Sequence, residues 1–298
     1  MLGPLVHDLL ARSAESAPER PLVIDAGRRF SYGEILEGAS RVARVLIDHG
    51  IRRGDRVGLI ADNSRVYVES YYGILRAGAV VVSLSTASDS GTQAKLLGDC
   101  GARALVCGPR QGRTVTALLD HRDLEFILGP VADDAIDAAR RGRCRLLDAP
   151  AALRSAPPEP PGVPLVDLDR AAIVYTSGST GRPRGAVLRH LNVVSNTRSI
   201  VRYLELSAED RVFVVLPFHY VYGKSLLNTH VAVGGSVVIE NRFLYPQEAL
   251  DHLEREEATG FSGVPSTFAI LLNKSNLASR ALPSLRYVTQ AGGAMAPE

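Results

Sequence analysis

The chain has 298 residues, of which 46% are hydrophobic and 22% are charged, and its formal net charge is +2 from 34 basic and 32 acidic residues. This is the composition of a folded globular protein, so it excludes a largely disordered, collagen-like or disulfide-framed chain. The near balance of charge gives no electrostatic reason to expect nucleic acid or an anionic membrane as a partner.

The spacing of cysteines, histidines and apolar residues further limits the classes of protein and of metal site that this sequence can form. Cys100, Cys107 and Cys144 are too few and too far apart for a disulfide framework or a four-ligand zinc site, so we expect reduced thiols in a cytoplasmic protein. The seven histidines lie at least eleven residues apart, so we predict no metal site from the residues present. The longest apolar stretch, residues 73–84, is interrupted by Arg76, and we expect no integral membrane contact.

The first half of the chain predicts alternating helices and strands. Ser31 and Glu34 form a capping box before a helix whose apolar positions recur as far as Leu46, and Gly50 can end that helix. Repeated units of this length favour parallel strands joined by crossover helices. Further helices are predicted at 64–75 and 93–99, and strands at 56–61, 79–84, 104–107 and 124–128.

Residues 133–145 carry acidic side chains first and basic side chains later. Asp137 and Arg141 stand four residues apart, and this order complements the helix dipole, so a solvated helix is favoured. A nucleic-acid patch is the alternative. Because the basic run is short and lacks interleaved aromatic residues, we expect no nucleic-acid partner.

Six prolines between residues 150 and 164 predict an extended connector, because proline interrupts helices and central strands. We therefore divide the chain into a first α/β subdomain (1–148), a Pro-rich connector (149–165) and a second α/β subdomain (166–298). After the connector, the pattern predicts strands at 171–175, 212–216, 236–239, 260–263 and 285–289, and helices from about 191, over 246–257 and near 266–272.

A loop rich in glycine and hydroxyl residues follows the strand at 171–175. Its glycines allow close backbone approach, its successive N–H groups can form an anion-binding nest, and Arg184 can add a charge-assisted contact. It is not a Walker A loop, which would need glycine at Pro183 and lysine at Arg184. From composition alone, a surface turn is the other interpretation. The loop residues are Thr176, Ser177, Gly178, Ser179, Thr180, Gly181 and Gly185.

The segment Tyr175-Thr-Ser-Gly-Ser-Thr-Gly-Arg-Pro-Arg-Gly185 resembles the signature loop of the AMP-forming adenylate-forming superfamily, which includes acyl-CoA synthetases and fatty-acid–CoA ligases. Ten of the eleven positions fit, and Arg184 stands where the family usually has lysine. Other stretches across essentially the whole chain also resemble this family: residues 20–34, 55–59, 73–79, 216–224, 263–267 and 290–294.

The resemblance implies an α/β fold of two stacked αβαβα-type subdomains with largely parallel sheets, as in the N-terminal domain of acyl-CoA synthetases, truncated. It also implies a ligase with ATP, Mg²⁺ and CoA, or a carrier-protein phosphopantetheine, as cofactors. A carboxylic acid would be converted to an acyl-adenylate with release of pyrophosphate. A thiol would then displace AMP.

The resemblance also implies roles for particular residues. His219 would be catalytic and lie near the acyl carboxylate, although a structural loop histidine is the alternative. Lys224 would orient a ligand, with a surface lysine as the alternative. The implied phosphate-binding residues are Thr176, Ser177, Gly178, Ser179, Thr180, Gly181, Arg184 and Gly185; the implied adenine contacts are Gly292, Gly293 and Ala294; and the implied acid contacts are His219, Tyr222, Gly223, Lys224 and Val264.

Residues 218–223 contain no acidic side chain that could pair with a substrate ammonium. A buried ammonium without a partner is costly, so the sequence predicts a fatty or aromatic acid without an α-amino group. The alternative function is a catalytically inactive relative that binds nucleotide or a partner protein, and a different phosphate-binding enzyme is a third.

The family resemblance implies further segments after residue 298: a YGxTE motif, an aspartate for the ribose, and a mobile C-terminal lid domain with a lysine. We therefore expect this chain alone to be incompetent for full turnover. An acyl carrier protein and a separately encoded C-terminal domain are the candidate protein partners.

Overall fold

The computed structural model of the chain describes residues 3–131, 143–176 and 183–295. Most of the charged segment 133–145 therefore lies outside the described residues, as do residues 177–182 of the predicted phosphate loop. Arg145 is described, and it begins a strand.

The described residues form ten α-helices and thirteen strands in frequent alternation. The helices are α1 (Val6–Ser16), α2 (Tyr32–Asp48), α3 (Arg65–Arg76), α4 (Ser90–Cys100), α5 (Gly112–Leu118), α6 (Ala149–Ser155), α7 (His190–Tyr203), α8 (Val221–Val233), α9 (Pro246–Arg255) and α10 (Pro265–Lys274). The strands are β1 (Pro21–Asp25), β2 (Arg28–Ser31), β3 (Arg56–Ile60), β4 (Val80–Ser83), β5 (Ala102–Cys107), β6 (Phe126–Gly129), β7 (Arg145–Asp148), β8 (Arg170–Thr176), β9 (Arg184–Arg189), β10 (Arg211–Val214), β11 (Ser236–Ile239), β12 (Gly260–Gly263) and β13 (Tyr287–Gln290).

The strands assemble into two sheets. One has the order β7-β6-β5-β3-β4-β8-β9, and the other has the order β13-β12-β10-β11-β1-β2. Every pairing is parallel except β1 with β2 and β8 with β9. The predicted fold class, α/β with two largely parallel sheets, is therefore confirmed. The capping box of α2 is also present, since Ser31 N donates to Glu34 Oε2 at 2.7 Å and Glu34 N donates to Ser31 Oγ at 3.2 Å.

The sheets do not divide the chain at the predicted connector. Strands β1 and β2 belong to the sheet built mainly from residues 211–290, and β8 and β9 belong to the sheet built mainly from residues 56–148. The extended connector predicted over 149–165 is wrong in its first part, where α6 forms. Pro150 lies in the first turn of α6, where no backbone N–H is required, and Asp148 caps this helix by accepting from Ala151 N at 3.2 Å.

Four helices of the structure were not predicted, namely α1, α5, α6 and α8. Helix α1 precedes the opening strand pair, and α8 directly follows the His219 segment. Helix α8 is buried on most sides, including the unbroken run from Leu226 to Val231. A helix covered all around lacks the apolar stripe of period 3.6 that reveals a surface helix in a sequence.

Buried tyrosines tie the helices between the two sheets together. Tyr32 donates from its hydroxyl to the Gly235 carbonyl at 2.7 Å, and Tyr72 donates to Asn228 Oδ1 at 2.9 Å. Asn228 Nδ2 donates in turn to the Tyr71 hydroxyl at 3.2 Å. Helices α2, α3 and α8 are thereby fixed relative to one another in the main core.

Among the described residues, no helix combines the length and the apolar character required to cross a bilayer.

His230 is a buried neutral imidazole in α8, with 1% of its surface exposed. Its Nδ1 lies 2.9 Å from the Leu226 carbonyl, which can only accept, so Nδ1 carries the proton. Its Nε2 lies 2.8 Å from the Tyr287 hydroxyl and accepts from it. Burial is the main reason that the pKa of His230 falls to about 4.

We predict that acidification destabilises the protein partly through His230. Between pH 6.5 and 4 the unfolded state binds a proton that the folded state excludes, so the free energy of unfolding falls as the pH is lowered. The contribution of His230 lost at pH 5.5 is on the order of 1 kcal/mol, relative to an unfolded pKa of about 6.5. Urea unfolding at pH 7.5 and 5.5 should therefore show a smaller pH dependence for His230→Gln than for the wild type. Equal pH dependence would contradict this assignment.

Candidate functional site

The predicted phosphate loop joins the paired strands β8 and β9. Its members Ser177, Gly178, Ser179, Thr180 and Gly181 lie outside the described residues, whereas the residues that flank them are described. Thr176 and Arg184 face each other in the antiparallel ladder. Because β8 pairs in parallel with β4, this loop leaves the carboxyl edge of the sheet, which is where ligands bind in open α/β folds.

Gly185 lets β9 approach the ring of Tyr175 closely. A Cβ atom at Gly185 would lie 2.9 Å from Ile173 Cγ2 and 3.3 Å from the Tyr175 ring. The Tyr175 hydroxyl donates to the Leu96 carbonyl at 3.2 Å and also to the Asp99 carboxylate. These contacts anchor the strand before the loop to α4.

His219 lies in a turn between β10 and α8. The side chain of Asn63, which follows β3 of the other sheet, holds this turn in place. Asn63 Nδ2 donates to the Leu216 carbonyl at 2.9 Å, and Phe218 N donates to Asn63 Oδ1 at 2.7 Å. The Tyr67 hydroxyl also donates to the Phe218 carbonyl at 2.9 Å. Sequence reasoning missed Asn63 and Tyr67, because their partners lie about 150 positions away along the chain.

The His219 imidazole is neutral at pH 7. Burial, with a smaller contribution from the charge of Lys224, lowers its pKa to about 4. Its Nε2 is buried and has no hydrogen-bond partner among the described residues. A neutral ring with an unused nitrogen can donate one hydrogen bond to a ligand oxygen without adding a positive charge.

His219 lines two cavities at the carboxyl edges of the sheets. The His219 cavity, of about 380 Å³, also contacts Ser83, Tyr175 and Thr176, so it brings the His219 turn to the end of β8. A neighbouring cavity of about 330 Å³ is lined by His219, Asp62 and Glu240. The structure therefore places His219 beside the flank of the predicted phosphate loop.

The two carboxylates in the neighbouring cavity already have partners. Asp62 pairs with Arg110 at 3.0 Å and accepts from Thr86 Oγ1 at 2.9 Å. Glu240 pairs with His252 at 2.8 Å, and its hydrogen bonds to His252 and Arg242 oppose the effect of burial and keep its pKa below the usual value. Neither carboxylate is available as an unpaired anion for a substrate ammonium.

The remaining predicted acid contacts lie in three different places. The Tyr222 hydroxyl is 2.8 Å from Thr289 Oγ1, which ties the first turn of α8 to β13. Lys224 is buried, with 6% of its surface exposed, so the alternative of a surface lysine is wrong. Val264 precedes α10 and contacts the position of Gly292.

The predicted adenine contacts lie at the end of β13. Gly292 has φ +94°, a backbone conformation that favours glycine, and Gly293 accepts from Gln290 Nε2 at 2.7 Å through its carbonyl. Gly292, Gly293 and Ala294 are exposed. Together with Tyr222, Gly223 and Val264 they do not line the His219 cavity, and their roles stay predictions. Within the described ranges, no cluster of three or more His, Cys, Asp or Glu side chains has the arrangement of a metal site.

Comparison with known proteins identifies the family. The model of the AMP-binding enzyme family matches residues 10–298, so the chain belongs to the AMP-binding enzymes, whose curated relatives here are acyl-CoA ligases. A feruloyl-CoA synthase from Amycolatopsis sp is 30% identical over 287 residues, which cover 96% of this chain and 54% of the relative. A mitochondrial medium-chain acyl-CoA ligase from Mus musculus is 26% identical, with 100% of this chain and 52% of the relative covered.

Solved structures share the fold. The N-terminal domain of FACL13 from Mycobacterium tuberculosis superposes with a TM-score of 0.86 at 24% identity, covering 98% of this chain and 71% of that chain. The anthranilate CoA ligase AuaEII superposes with a TM-score of 0.87 at 23% identity, covering 99% and 55%. The chain spans about half the length of the curated relatives it matches.

Gly223 lets α8 begin immediately against the His219 turn. A Cβ atom at Gly223 would lie 2.3 Å from the Pro217 carbonyl oxygen and 2.9 Å from the Leu216 carbonyl oxygen. We predict that Gly223→Ala lowers the free energy of unfolding by about 1–3 kcal/mol, because the backbone must move. Urea unfolding measures this change in stability. Gly162→Ala is the matched control, because a Cβ atom at Gly162 would have no contact within 4 Å. Equal midpoints for the two variants would refute the steric argument.

Proposed function

We propose that this chain forms the acid- and ATP-binding part of an ATP-dependent acid–thiol ligase. In the first step a carboxylate oxygen attacks the α-phosphorus of ATP, which forms an acyl-adenylate and releases pyrophosphate. In the second step the thiol sulfur of CoA, or of a carrier-protein phosphopantetheine, attacks the acyl carbon and AMP leaves. The observation that carries the proposal is the His219 cavity, which His219, whose buried Nε2 has no partner among the described residues, lines together with the end of the strand before the predicted phosphate loop.

The phosphates of ATP would bind at the carboxyl edge of β8. Thr176 and Arg184 frame the loop. The loop residues 177–182 would supply the backbone and hydroxyl donors that the sequence predicts. Arg184 would contribute a permanent charge in place of the usual lysine of the family. Mg²⁺ would enter with ATP as its phosphate complex, and the described residues contain no carboxylate cluster to hold it separately.

His219 would orient the carboxylate of the acid. Its pKa of about 4 keeps the ring neutral at pH 7, so it would hydrogen-bond the substrate oxygen without forming an ion pair with it. This arrangement leaves the carboxylate negative and nucleophilic while fixing its direction, which is how positioning accelerates a reaction. The family resemblance also assigns Tyr222, Gly223 and Val264 to the acid and Gly292, Gly293 and Ala294 to the adenine, although none of the six lines the His219 cavity.

The substrate would be a fatty or aromatic acid without an α-amino group. The His219 turn carries no carboxylate, and Asp62 and Glu240 nearby are already paired. A buried substrate ammonium would therefore lack a counter-ion.

The three unpaired cysteines fit a reducing compartment such as the cytoplasm.

Binding of non-hydrolysable adenylate mimics tests this function. Acyl-sulfamoyl-adenosines of fatty and aromatic acids should bind at least tenfold more tightly than aminoacyl ones in calorimetry, because only the latter bury an ammonium. His219→Gln should weaken the binding of the acyl mimics, whereas His121→Gln, outside the cavities, should leave it unchanged. Binding of aminoacyl mimics alone would contradict the substrate class. ATP binding without pyrophosphate exchange, even with a C-terminal domain supplied, would favour an inactive nucleotide-binding relative.

We further propose that these 298 residues alone do not complete turnover. The family resemblance assigns contacts with Mg²⁺, the ribose and the α-phosphate to later segments, and each charge-assisted contact contributes about 1.5–3 kcal/mol. ATP affinity should therefore be about a thousandfold weaker than with those segments present. Thioester formation by the purified 298-residue chain, measured by mass spectrometry, would disprove this.

A further inference from the structure

A third cavity, of about 240 Å³, lies between α7 and α8. We call it the α7–α8 cavity. It is lined by Val193, Asn196 and Thr197 of α7 and by Val221, Lys224 and Asn228 of α8. Its walls are mainly apolar, and its few polar groups include the Lys224 amine and side-chain amides. None of the reaction steps proposed above uses this cavity.

Lys224 supplies the buried amine of this cavity. Its Nζ donates to Ser83 Oγ at 3.1 Å and lies 5.4 Å from the centre of the Tyr71 ring, and it forms no ion pair with a described carboxylate. An ammonium has three protons to donate, so its hydrogen-bonding capacity is mostly unused. Burial alone lowers the pKa of Lys224 to about 7. Burial therefore disfavours the protonated form, and an anionic group bound beside the amine would favour it, which points to a functional reason for the position of Lys224.

Lys224 also forms part of the wall between two cavities. Val221 lines both the α7–α8 cavity and the His219 cavity. Ser83, which accepts from Lys224, lines the His219 cavity. Lys224 therefore lines the α7–α8 cavity while its hydrogen-bond partner Ser83 lines the cavity proposed for the reacting carboxylate, so the two cavities are neighbours.

Asn228 offers a further hydrogen-bond donor beside Lys224 in the α7–α8 cavity. Asn228 Oδ1 accepts a hydrogen bond from the Tyr72 hydroxyl, and Asn228 Nδ2 donates one to the Tyr71 hydroxyl. The second amide proton of Asn228 has no acceptor among the described residues. Ser225 already donates to the Tyr222 carbonyl at 2.7 Å. A surrounding with spare donors and a cation complements an anionic oxygen group.

We propose that the α7–α8 cavity receives the far end of the acid and that Lys224 pairs there with a second carboxylate, so that the preferred substrates are dicarboxylic acids. This inference rests on the proposed function, because it extends the acid from the His219 cavity. The carboxylate near His219 reacts with ATP, and the distal carboxylate is held by Lys224 and adjacent amide donors. Lys224 thereby acts as a specificity residue.

A purely structural role is the competing explanation. Lys224 donates to Ser83, Ser83 lies 2.8 Å from the Tyr67 hydroxyl, and Tyr67 donates to the Phe218 carbonyl beside His219. In that case removal of the ammonium would loosen the turn and destabilise the protein. If Lys224 serves a ligand, its removal relieves an unpaired buried charge, and stability is unchanged or higher.

Calorimetry with paired adenylate mimics distinguishes the two. Succinyl-, adipoyl-, suberoyl- and sebacoyl-sulfamoyl-adenosine are compared with their butyryl, hexanoyl, octanoyl and decanoyl counterparts. In the wild type, at least one carboxylate-ended mimic should bind about tenfold or more tightly than its methyl-ended counterpart. Lys224→Met should abolish or reverse this ratio, and Lys224→Arg should retain part of it. Lys95→Met, at an exposed lysine of α4, is the matched control and should preserve the ratio.

The outcomes separate failure of the inference from failure of the proposed function. Equal or tighter wild-type binding of the methyl-ended mimics would overturn the inference and leave the proposed function intact. Loss of binding to both series in Lys224→Met, together with a lower urea midpoint, would assign Lys224 a structural role and overturn the inference. If the wild type binds no mimic of either series, the proposed function itself fails.

Discussion

The site depends on one buried amide that spans the two sheets. Asn63 follows β3 of the seven-stranded sheet, and both ends of its amide bind backbone groups of the turn after β10 in the other sheet. Asn63 is only 6% exposed, so loss of either hydrogen bond would leave a buried polar group unpaired. The position of His219, and hence the cavities on either side of it, follows from these two hydrogen bonds.

The exchange of strands between the sheets makes the two halves of the chain one body. Strands β1 and β2 complete the later sheet, whereas β8 and β9 extend the earlier one. This exchange carries the phosphate-loop strand of the second half into the sheet that faces His219. Parallel strands present their carboxyl ends together, so the ends of β4 and β8 and the His219 turn meet at one seam.

Burying Lys224 in α8 and His219 just before it costs free energy, and a helix with a purely structural role would not require that burial. Lys224 and His219 are close enough for the charge of the first to lower the pKa of the second. Lys224 is a buried amine without an anionic partner among the described residues, and His219 is a neutral ring with an unused nitrogen. Binding surfaces commonly trade stability in this way, because a ligand supplies the missing partners.

The sequence by itself determined the α/β class and most element positions, because these depend on local periodicity, caps and spacing, and it predicted the phosphate loop. The strands at 236–239 and 260–263 agree with prediction residue for residue. Helix α8, the strand exchange and the contacts of Asn63 were decided only by the tertiary structure. Each depends on neighbours far away in the chain, and the same distant neighbours made Lys224 a buried cation, although nothing in its local sequence distinguishes it from a surface lysine.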